Sequence, residues 1–152
     1  MRTNLNSTSA VDGMVNLSNI ESVIGSNIIK SVTKSYIKTY NDASSVTTCN
    51  DKLWLLACSE VWNNGYNGEG TYGYANASEG SQYKFYADIN ATWNANNTKL
   101  VKYYSSNSSG WWWLRSPSYS NSGNDFFDLD YSGYCSYYNA GSSGDVAPGF
   151  AI

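Results

Sequence analysis

The 152-residue sequence contains no histidine. Histidine is the commonest general base and the commonest zinc ligand in proteins, so hydroxyl-nucleophile triads and most zinc sites lack a required part here. Basic residues are scarce as well, since nine Lys and Arg stand against twelve Asp and Glu and give a formal charge of −3. Without a basic surface, the chain is not expected to bind nucleic acid.

Long apolar runs are also missing. No stretch approaches the roughly 18 apolar residues that cross a bilayer, and no charged segment followed by an apolar one marks a signal peptide at the N-terminus. We therefore expect no membrane insertion by this segment. Residues 1–6 read like the inside of a longer chain, which predicts a C-terminal domain whose export signal lies upstream. Three cysteines, an odd number without metal-type spacing, leave the pairing of Cys49, Cys58 and Cys135 open.

Aromatic residues are abundant, at 16% of the chain. Each buries roughly 150 to 250 Å², so Trp, Tyr and Phe replace part of the usual aliphatic core. A chain of this length is typical of one domain, and we expect a single domain over residues 1–152. Neither composition nor motif spacing implies a cofactor or a metal.

Periodicity predicts both short helices and short strands. Ser18 to Glu21 has the pattern of a capping box, which predicts a helix to about Gly25. Residues 28–40 alternate with period two and predict a strand, and residues 53–58 are apolar at every position, as in a strand buried on both faces. Residues 63–80 have the composition of a long surface loop.

The second half predicts a helix and then mostly strands. Residues 81–93 have near-helical apolar spacing, and residues 100–104 and 111–115 predict strands, the latter ending at Pro117. Residues 125–131 and 134–140 form a predicted hairpin around a Ser-Gly turn. Residues 145–152 predict a last strand anchored by Val146, Phe150 and Ile152.

The composition of residues 118–143 is unusual. Ser occurs seven times, Tyr five times, and Asn, Asp and Gly three times each, yet Lys, Arg, Glu, Gln, Trp, Met and Pro are absent. Tyr gives large contact area at low entropic cost, while Ser, Gly and Asn give adaptable hydrogen bonds, as in antibody paratopes. The composition therefore favours a recognition surface. An ordinary polar loop is the alternative.

Three features carry a resemblance to a known family. They are the apolar run 53–58 followed by Glu60, the signature Trp112-Trp113-Leu114-Arg115-Ser116-Pro117, and the ending Val146-Ala147-Pro148-Gly149-Phe150. Together they resemble bacterial and phage domains with the C-type lectin fold, some of which are the variable proteins of diversity-generating retroelements. Relatives often end in Val-Arg-Pro, whereas this chain has Ala147 before Pro148. The resemblance implies an α+β fold of short helices around small antiparallel sheets with long loops.

The resemblance also implies a function. In that family a reverse transcriptase mutates adenines in Asn-type codons of a C-terminal variable region, which would here be residues 118–143. Such codons cannot yield Lys, Glu, Gln, Met or Trp, and all five are missing there. We expect a non-enzymatic receptor-recognition domain on a cell surface or phage virion, binding a protein or glycan. A structural or carbohydrate-binding surface domain without diversification is the alternative, and a cryptic enzyme a further one.

Alternation within the hairpin predicts which side chains face outward. Phe127, Leu129, Gly133 and Ala140 are assigned to the scaffold. Tyr131 would face inward on strict alternation unless the turn begins there. The predicted ligand-binding residues are Tyr119, Asn121, Asn124, Phe126, Asp128, Asp130, Tyr131, Tyr134, Ser136, Tyr137, Tyr138 and Asn139.

Other side chains allow more than one interpretation. The cluster Trp111 to Trp113 could stack on sugars, but tryptophans in a strand are more often core. Arg115 could bind an anion, although stacking on an aromatic ring or tying down a loop is expected.

Metal and enzyme sites are the remaining alternatives. Asp125, Asp128 and Asp130 suggest a calcium site, but the Glu-Pro-Asn and Trp-Asn-Asp motifs of calcium-dependent lectins are absent. A cysteine enzyme similar to the formylglycine-generating enzymes would need Cys58 or Cys135, which fall in a predicted buried strand and in the hairpin. Glu60, Glu69 and Glu79 could supply paired carboxylates, yet nothing in the sequence places them together.

Overall fold

The structure is a computed structural model that describes residues 5–8, 15–37, 46–62, 79–118 and 124–152. It is an α+β protein with short helices and small antiparallel sheets. Among the described residues, the helices with defined ranges are α1 (Leu17–Ile24), α2 (Cys58–Val61) and α3 (Lys84–Asp88), with a 3₁₀ turn at Thr98–Leu100. The strands are β1 (Val32–Ile37), β2 (Val46–Asp51), β3 (Lys102–Ser105), β4 (Ser108–Gly110), β5 (Trp112–Pro117), β6 (Asp125–Leu129) and β7 (Cys135–Asn139).

Within the described part of the chain, these strands form three antiparallel sheets. β1 pairs with β2 and β3 pairs with β4, each as a two-stranded sheet, while β5, β6 and β7 form a three-stranded sheet in that order. In the last sheet β6 is central, with Asp128 opposite Trp113 on one side and opposite Ser136 on the other. The predicted hairpin and the strand ending at Pro117 are confirmed.

Helix α1 begins one residue before its predicted cap. Asn16, not Ser18, is the N-cap: its side chain accepts a hydrogen bond from the Asn19 N–H, and the Asn19 side chain accepts one from the Asn16 N–H. The capping box is therefore built from two asparagines, and its prediction from Ser18 and Glu21 was wrong. Gly25 ends the helix as predicted, with φ +101°.

Residues 53–58 are buried as predicted but do not form a strand. Leu53 and Leu55 pack into one apolar cluster, whereas Trp54, Leu56 and Cys58 pack into another. The extended segment lies between the two apolar clusters, and its backbone makes only isolated hydrogen bonds to other segments. Trp54 exchanges two hydrogen bonds with Gly149, and Leu56 O accepts one from the Arg115 N–H. Burial on both faces does not require a continuous ladder, which is why the strand prediction was wrong.

The last eight residues form no continuous strand either. Single bridges join Asp145 to Trp112, Gly149 to Trp54 and Ala151 to Lys30, so the segment meets three different partners in turn. Phe150 and Ile152 are 44% and 80% exposed, which makes their predicted anchoring role wrong. Val146 is partly buried as expected, and Ala147 and Ala151 pack against the core in place of the larger residues.

The tryptophan cluster belongs to the core, as predicted. Trp112 and Trp113 are almost completely buried on opposite sides of β5, Trp112 in the larger cluster and Trp113 in the smaller one. The Trp112 indole N–H donates to Leu100 O at 3.0 Å, which satisfies its polar atom. β5 therefore joins the two halves of the core.

Other predictions hold over shorter ranges. Helix α3 and strand β3 lie within or near the predicted helix 81–93 and strand 100–104, and β1 lies within 28–40. Most of the predicted loop 63–80, including Glu69, lies outside the described residues. All three cysteines are free thiols. Within the described ranges, no helix has the length and apolar character needed to span a membrane.

Candidate binding surface

The β6–β7 hairpin is held by a tight turn. The Asp130 Oδ1 atom accepts hydrogen bonds from the Ser132 N–H, the Ser132 hydroxyl and the Tyr134 N–H at 2.7 to 3.0 Å. Gly133 has φ +74°, and a Cβ there would lie 2.0 Å from Asn97 O. Only glycine combines that backbone angle with so close an approach, so the turn is anchored to the segment before the 3₁₀ turn. The hairpin tip is thus a fixed platform.

The structure sorts the twelve predicted binding residues into four groups. Asn124, Tyr131, Tyr134, Tyr138 and Asn139 are exposed, as predicted. Phe126, Asp130, Ser136 and Tyr137 are partly buried. Asp128 is completely buried, and Tyr119 and Asn121 lie outside the described residues. The turn begins at Asp130, which explains why Tyr131 points outward with 61% of its surface exposed.

Asp128 corrects the predicted facing of β6. Phe127 and Leu129 are buried in the larger cluster as predicted, but Asp128 on the opposite face is 0% exposed. The alternation is real, since Asp128 shares its face with Trp113 and Ser136. That face is covered near Trp113, however, because Trp113 packs into the smaller apolar cluster with Leu53 and Leu55. Neither carboxylate oxygen of Asp128 has a hydrogen-bond partner.

Burial, and to a lesser extent the charge of Asp130, raise the pKa of Asp128 to about 7. A carboxylate without a partner is expected to behave this way, because a buried charge costs more free energy than a buried acid. Cys135 lies nearby, and burial together with the charges of Asp128 and Asp130 raises the pKa of its thiol to about 12. Asp128 is therefore not part of the exposed surface.

An aromatic stack connects the hairpin to the core. The rings of Tyr138 and Trp111 are stacked with centroids 4.9 Å apart, and Trp111 meets Trp113 edge to face at 4.8 Å. A Cβ at Gly144 would lie 2.3 Å from the Trp111 ring, so glycine is needed for the indole to pack there. Tyr138 is 50% exposed and is held in place by this contact. No sequence pattern predicted this pairing.

Beside this stack lies an apolar pocket of about 370 Å³. Tyr36, Trp113, Phe126 and Ala140 contribute to its wall. Ala140, which was assigned to the scaffold, is in fact exposed, while its backbone N–H donates to Asn124 O at 2.9 Å. Phe126 is opposite Tyr138 in the sheet, so the pocket and the stack occupy one face of the hairpin.

Beneath the surface, Arg115 ties several segments together. Its Nε donates to Ser35 O at 3.0 Å and its Nη2 to Glu79 O at 2.6 Å. Its Nη1 donates to Leu55 O at 2.7 Å and to Glu60 Oε2 at 2.5 Å. The guanidinium also lies over the Tyr36 ring, 5.3 Å from the centroid. The expectation of stacking and loop anchoring is confirmed for Arg115.

Glu60 and Glu79 meet around this arginine, although the sequence did not place them together. Lys34 donates to Glu60 Oε1 and to the Tyr83 hydroxyl, each at 2.5 Å, and Ser116 donates to Glu79 Oε2. Burial raises the pKa of both carboxyls, but for Glu60 the hydrogen bond and charge of Arg115 reverse that effect and lower it. For Glu79 burial prevails, and its pKa stays above the ordinary value.

The described part of the chain contains no group of three or more Cys, Asp or Glu side chains that could hold a metal ion. Of the three aspartates weighed for calcium, Asp130 uses Oδ1 in the turn and Asp128 is enclosed. Of the two cysteines weighed for catalysis, Cys58 is buried, and burial raises the pKa of its thiol well above the usual range. A thiol in that state is a poor nucleophile.

Comparison with known proteins places the chain in a family. Residues 17–152 match the family described as "Domain of unknown function (DUF6273)", and the chain belongs to it. No curated protein matches the sequence, and no solved structure matches either.

Proposed function

We propose that the protein is a non-enzymatic ligand-recognition domain whose contact surface is the outer part of the β6–β7 hairpin. The observation that carries the proposal is the set of exposed tyrosines on a rigid support. Tyr131, Tyr134 and Tyr138 are 61%, 37% and 50% exposed, the turn beneath two of them is fixed by Asp130, and the third is stacked on Trp111. Aromatic anchors that are already ordered lose little entropy on binding.

The adjoining apolar pocket supports the same proposal. Protein interfaces draw most of their energy from a few aromatic or aliphatic anchors in desolvated pockets. The Arg115 guanidinium in the pocket wall already makes four hydrogen bonds, and the Tyr36 hydroxyl donates to Asp51 Oδ2 at 2.5 Å. An apolar group from a ligand is therefore a better match for the pocket than a hydroxyl-rich one.

The finer part of the proposal concerns the scaffold and its variation. We propose that the α+β architecture is a C-type lectin fold and that residues 118–143 are diversified by a retroelement. The residue census and the Trp-Trp-Leu-Arg-Ser-Pro signature support this proposal. So does the separation of roles in the hairpin, since five of the predicted display residues are exposed while the signature residues Trp112 to Ser116 are buried.

Binding is tested with a triple variant, Tyr131→Ala/Tyr134→Ala/Tyr138→Ala, in adsorption assays on intact bacterial cells and on a glycan array. We expect the variant to lose at least about tenfold in affinity for whatever target the wild type retains, since each anchor contributes on the order of 1 kcal/mol or more. Its melting temperature should fall only modestly, because Tyr138 gives up its stack on Trp111 while Tyr131 and Tyr134 are exposed. Tyr137 is left intact because it packs against the core.

The matched control is Tyr103→Ala/Tyr104→Ala. These tyrosines are 65% and 72% exposed on β3, outside the hairpin, and should be dispensable for binding. Equal losses in the two variants would count against a hairpin-specific surface. A glycan target instead of a protein would keep the surface but change the ligand class.

Diversification is tested at the DNA level. We expect a near-copy of the segment encoding residues 118–143 close to the gene, differing mainly where the copy has adenine, and a reverse-transcriptase gene beside it. Substitutions spread evenly over related copies, without an adenine bias, would refute diversification while leaving the binding proposal to its own assay.

A further inference from the structure

A second concave surface lies on a different part of the protein. It is formed by residues 147–151, the start of β1, Trp54 and the region of α3, and it encloses about 760 Å³. Small-molecule sites in proteins usually measure about 300 to 1,000 Å³. None of the ten predicted display residues that the structure describes lines this groove. The groove is therefore separate from the candidate binding surface.

The walls of the groove are mostly apolar, and two of the phenyl rings that line it are exposed. Phe85 is 58% exposed on α3, and Phe150 is 44% exposed on the C-terminal segment. Both line the groove together with Tyr86 and Pro148. Single exposed apolar side chains are ordinary, but two phenyl rings on one concave surface indicate an interaction site.

The groove is positively charged. Lys34 and Lys102 line it, and no Asp or Glu does so among the described residues. Lys34 is already paired with Glu60. Lys102 has no ion pair with any described carboxylate; its Nζ lies 5.5 Å from the centroid of the Trp112 ring. Lys102 is exposed on β3, and partial desolvation of its side chain lowers its pKa.

We propose that this groove binds a small organic anion with an aromatic body, whose anionic group pairs with the Lys102 ammonium while the ring lies between Phe85 and Phe150. Apolar walls supply the contact area, and the unpaired cation fixes the orientation and the charge of the ligand. An anionic group at this position accepts a charge-assisted hydrogen bond from the Lys102 ammonium, which is exposed on β3. The proposal does not depend on the function of the hairpin.

Two dyes of the same shape test the proposal. 1-Anilinonaphthalene-8-sulfonate carries an anionic group, and N-phenyl-1-naphthylamine is its neutral counterpart. Fluorescence titration of the full chain should show that wild type binds the anionic dye more tightly. Lys102→Met keeps the aliphatic stem over Trp112 but removes the charge. This variant should lower the affinity for the anionic dye by about tenfold and change the affinity for the neutral dye by less than about twofold.

Three further variants locate the site. Phe150→Ser should lower the affinity for both dyes, because it removes an apolar ring that lines the groove. Lys99→Met makes the same substitution at a nearby lysine that does not line the groove, and it should leave both affinities nearly unchanged. Tyr138→Ala reports on dye bound at the hairpin and should also have no effect. An anionic-dye affinity that is unchanged in Lys102→Met, or that is lost only in Tyr138→Ala, would overturn the proposal.

Discussion

Replacing Arg115 by methionine is expected to lower the free energy of unfolding by about 3 to 5 kcal/mol, the usual cost of removing one partner from a buried ion pair. Arg115 and Glu60 are 6% and 2% exposed, so water cannot replace the lost contacts. The substitution leaves Glu60 with Lys34 as its remaining cation and strips donors from Ser35 O, Leu55 O and Glu79 O. Urea unfolding followed by tryptophan fluorescence measures the change.

The control for this experiment is an exposed ion pair. Lys84 and Asp88 form an i,i+4 pair whose side chains are 86% and 58% exposed. Lys84→Ala is expected to cost less than about 0.5 kcal/mol. Should Arg115→Met fail to fold, Arg115→Lys keeps the charge but not the planar fork, and it should show an intermediate loss. A loss no larger than that of the control would show that Arg115 does not organise the core.

The second large effect concerns Asp128 and pH. Its pKa is about 7 in the folded protein against an ordinary value of 3.8, so between these values the folded state binds more protons than the unfolded state. The contribution of Asp128 to stability is therefore fully present below about pH 4 and is lost as pH rises through about 7. The shift corresponds to about 4 kcal/mol at most, since one pKa unit is worth about 1.4 kcal/mol.

Asp128→Asn should remove this dependence. At pH 8 the variant is expected to be more stable than wild type by about 1 to 3 kcal/mol, since the neutral amide avoids the cost of a buried charge but still lacks hydrogen-bond partners. At pH 4 the two proteins should differ little. Unfolding curves at several pH values between 4 and 8 measure the difference in stability between the variant and wild type. Because both proteins keep Glu79, the pH dependence that Glu79 contributes cancels in this difference.

Asp125→Asn is the matched control, because it removes a carboxylate from the same strand at a partly buried position. It should reproduce the wild-type change in stability between pH 4 and 8. If Asp128→Asn also follows the wild-type pH dependence, Asp128 is ionised in the folded protein and has contacts that the structure does not contain.

Much of the hairpin could be predicted from the sequence. Alternation of Phe127 and Leu129 against their neighbours predicted strand β6 and its buried side, and Ser132-Gly133 predicted the turn. These signals are local, since pleating fixes which side chains share a face and the turn requires a glycine with positive φ. The burial of residues 53–58 was also predicted from a local signal, the run of apolar side chains.

Prediction failed where the outcome depended on what covers a surface. Alternation correctly placed Asp128 and Phe127 on opposite faces of β6. It could not show that the face of Asp128 is also enclosed near Trp113. Phe150 and Ile152 were expected to anchor a strand because they are large and apolar. In the structure the small side chains of Ala147 and Ala151 pack inward instead. Periodicity describes a segment, whereas burial depends on its neighbours.

The sequence by itself determined the two hairpin strands, the buried tryptophans and the tyrosine-rich composition of the hairpin, because each follows from local backbone geometry and side-chain type. Only the tertiary structure decided which tyrosines are exposed, that Lys34, Glu60 and Glu79 gather around Arg115, and that Lys102 lines a groove with Phe85 and Phe150. These residues are far apart in the chain. Their contacts arise from the packing of whole elements, which no local pattern encodes.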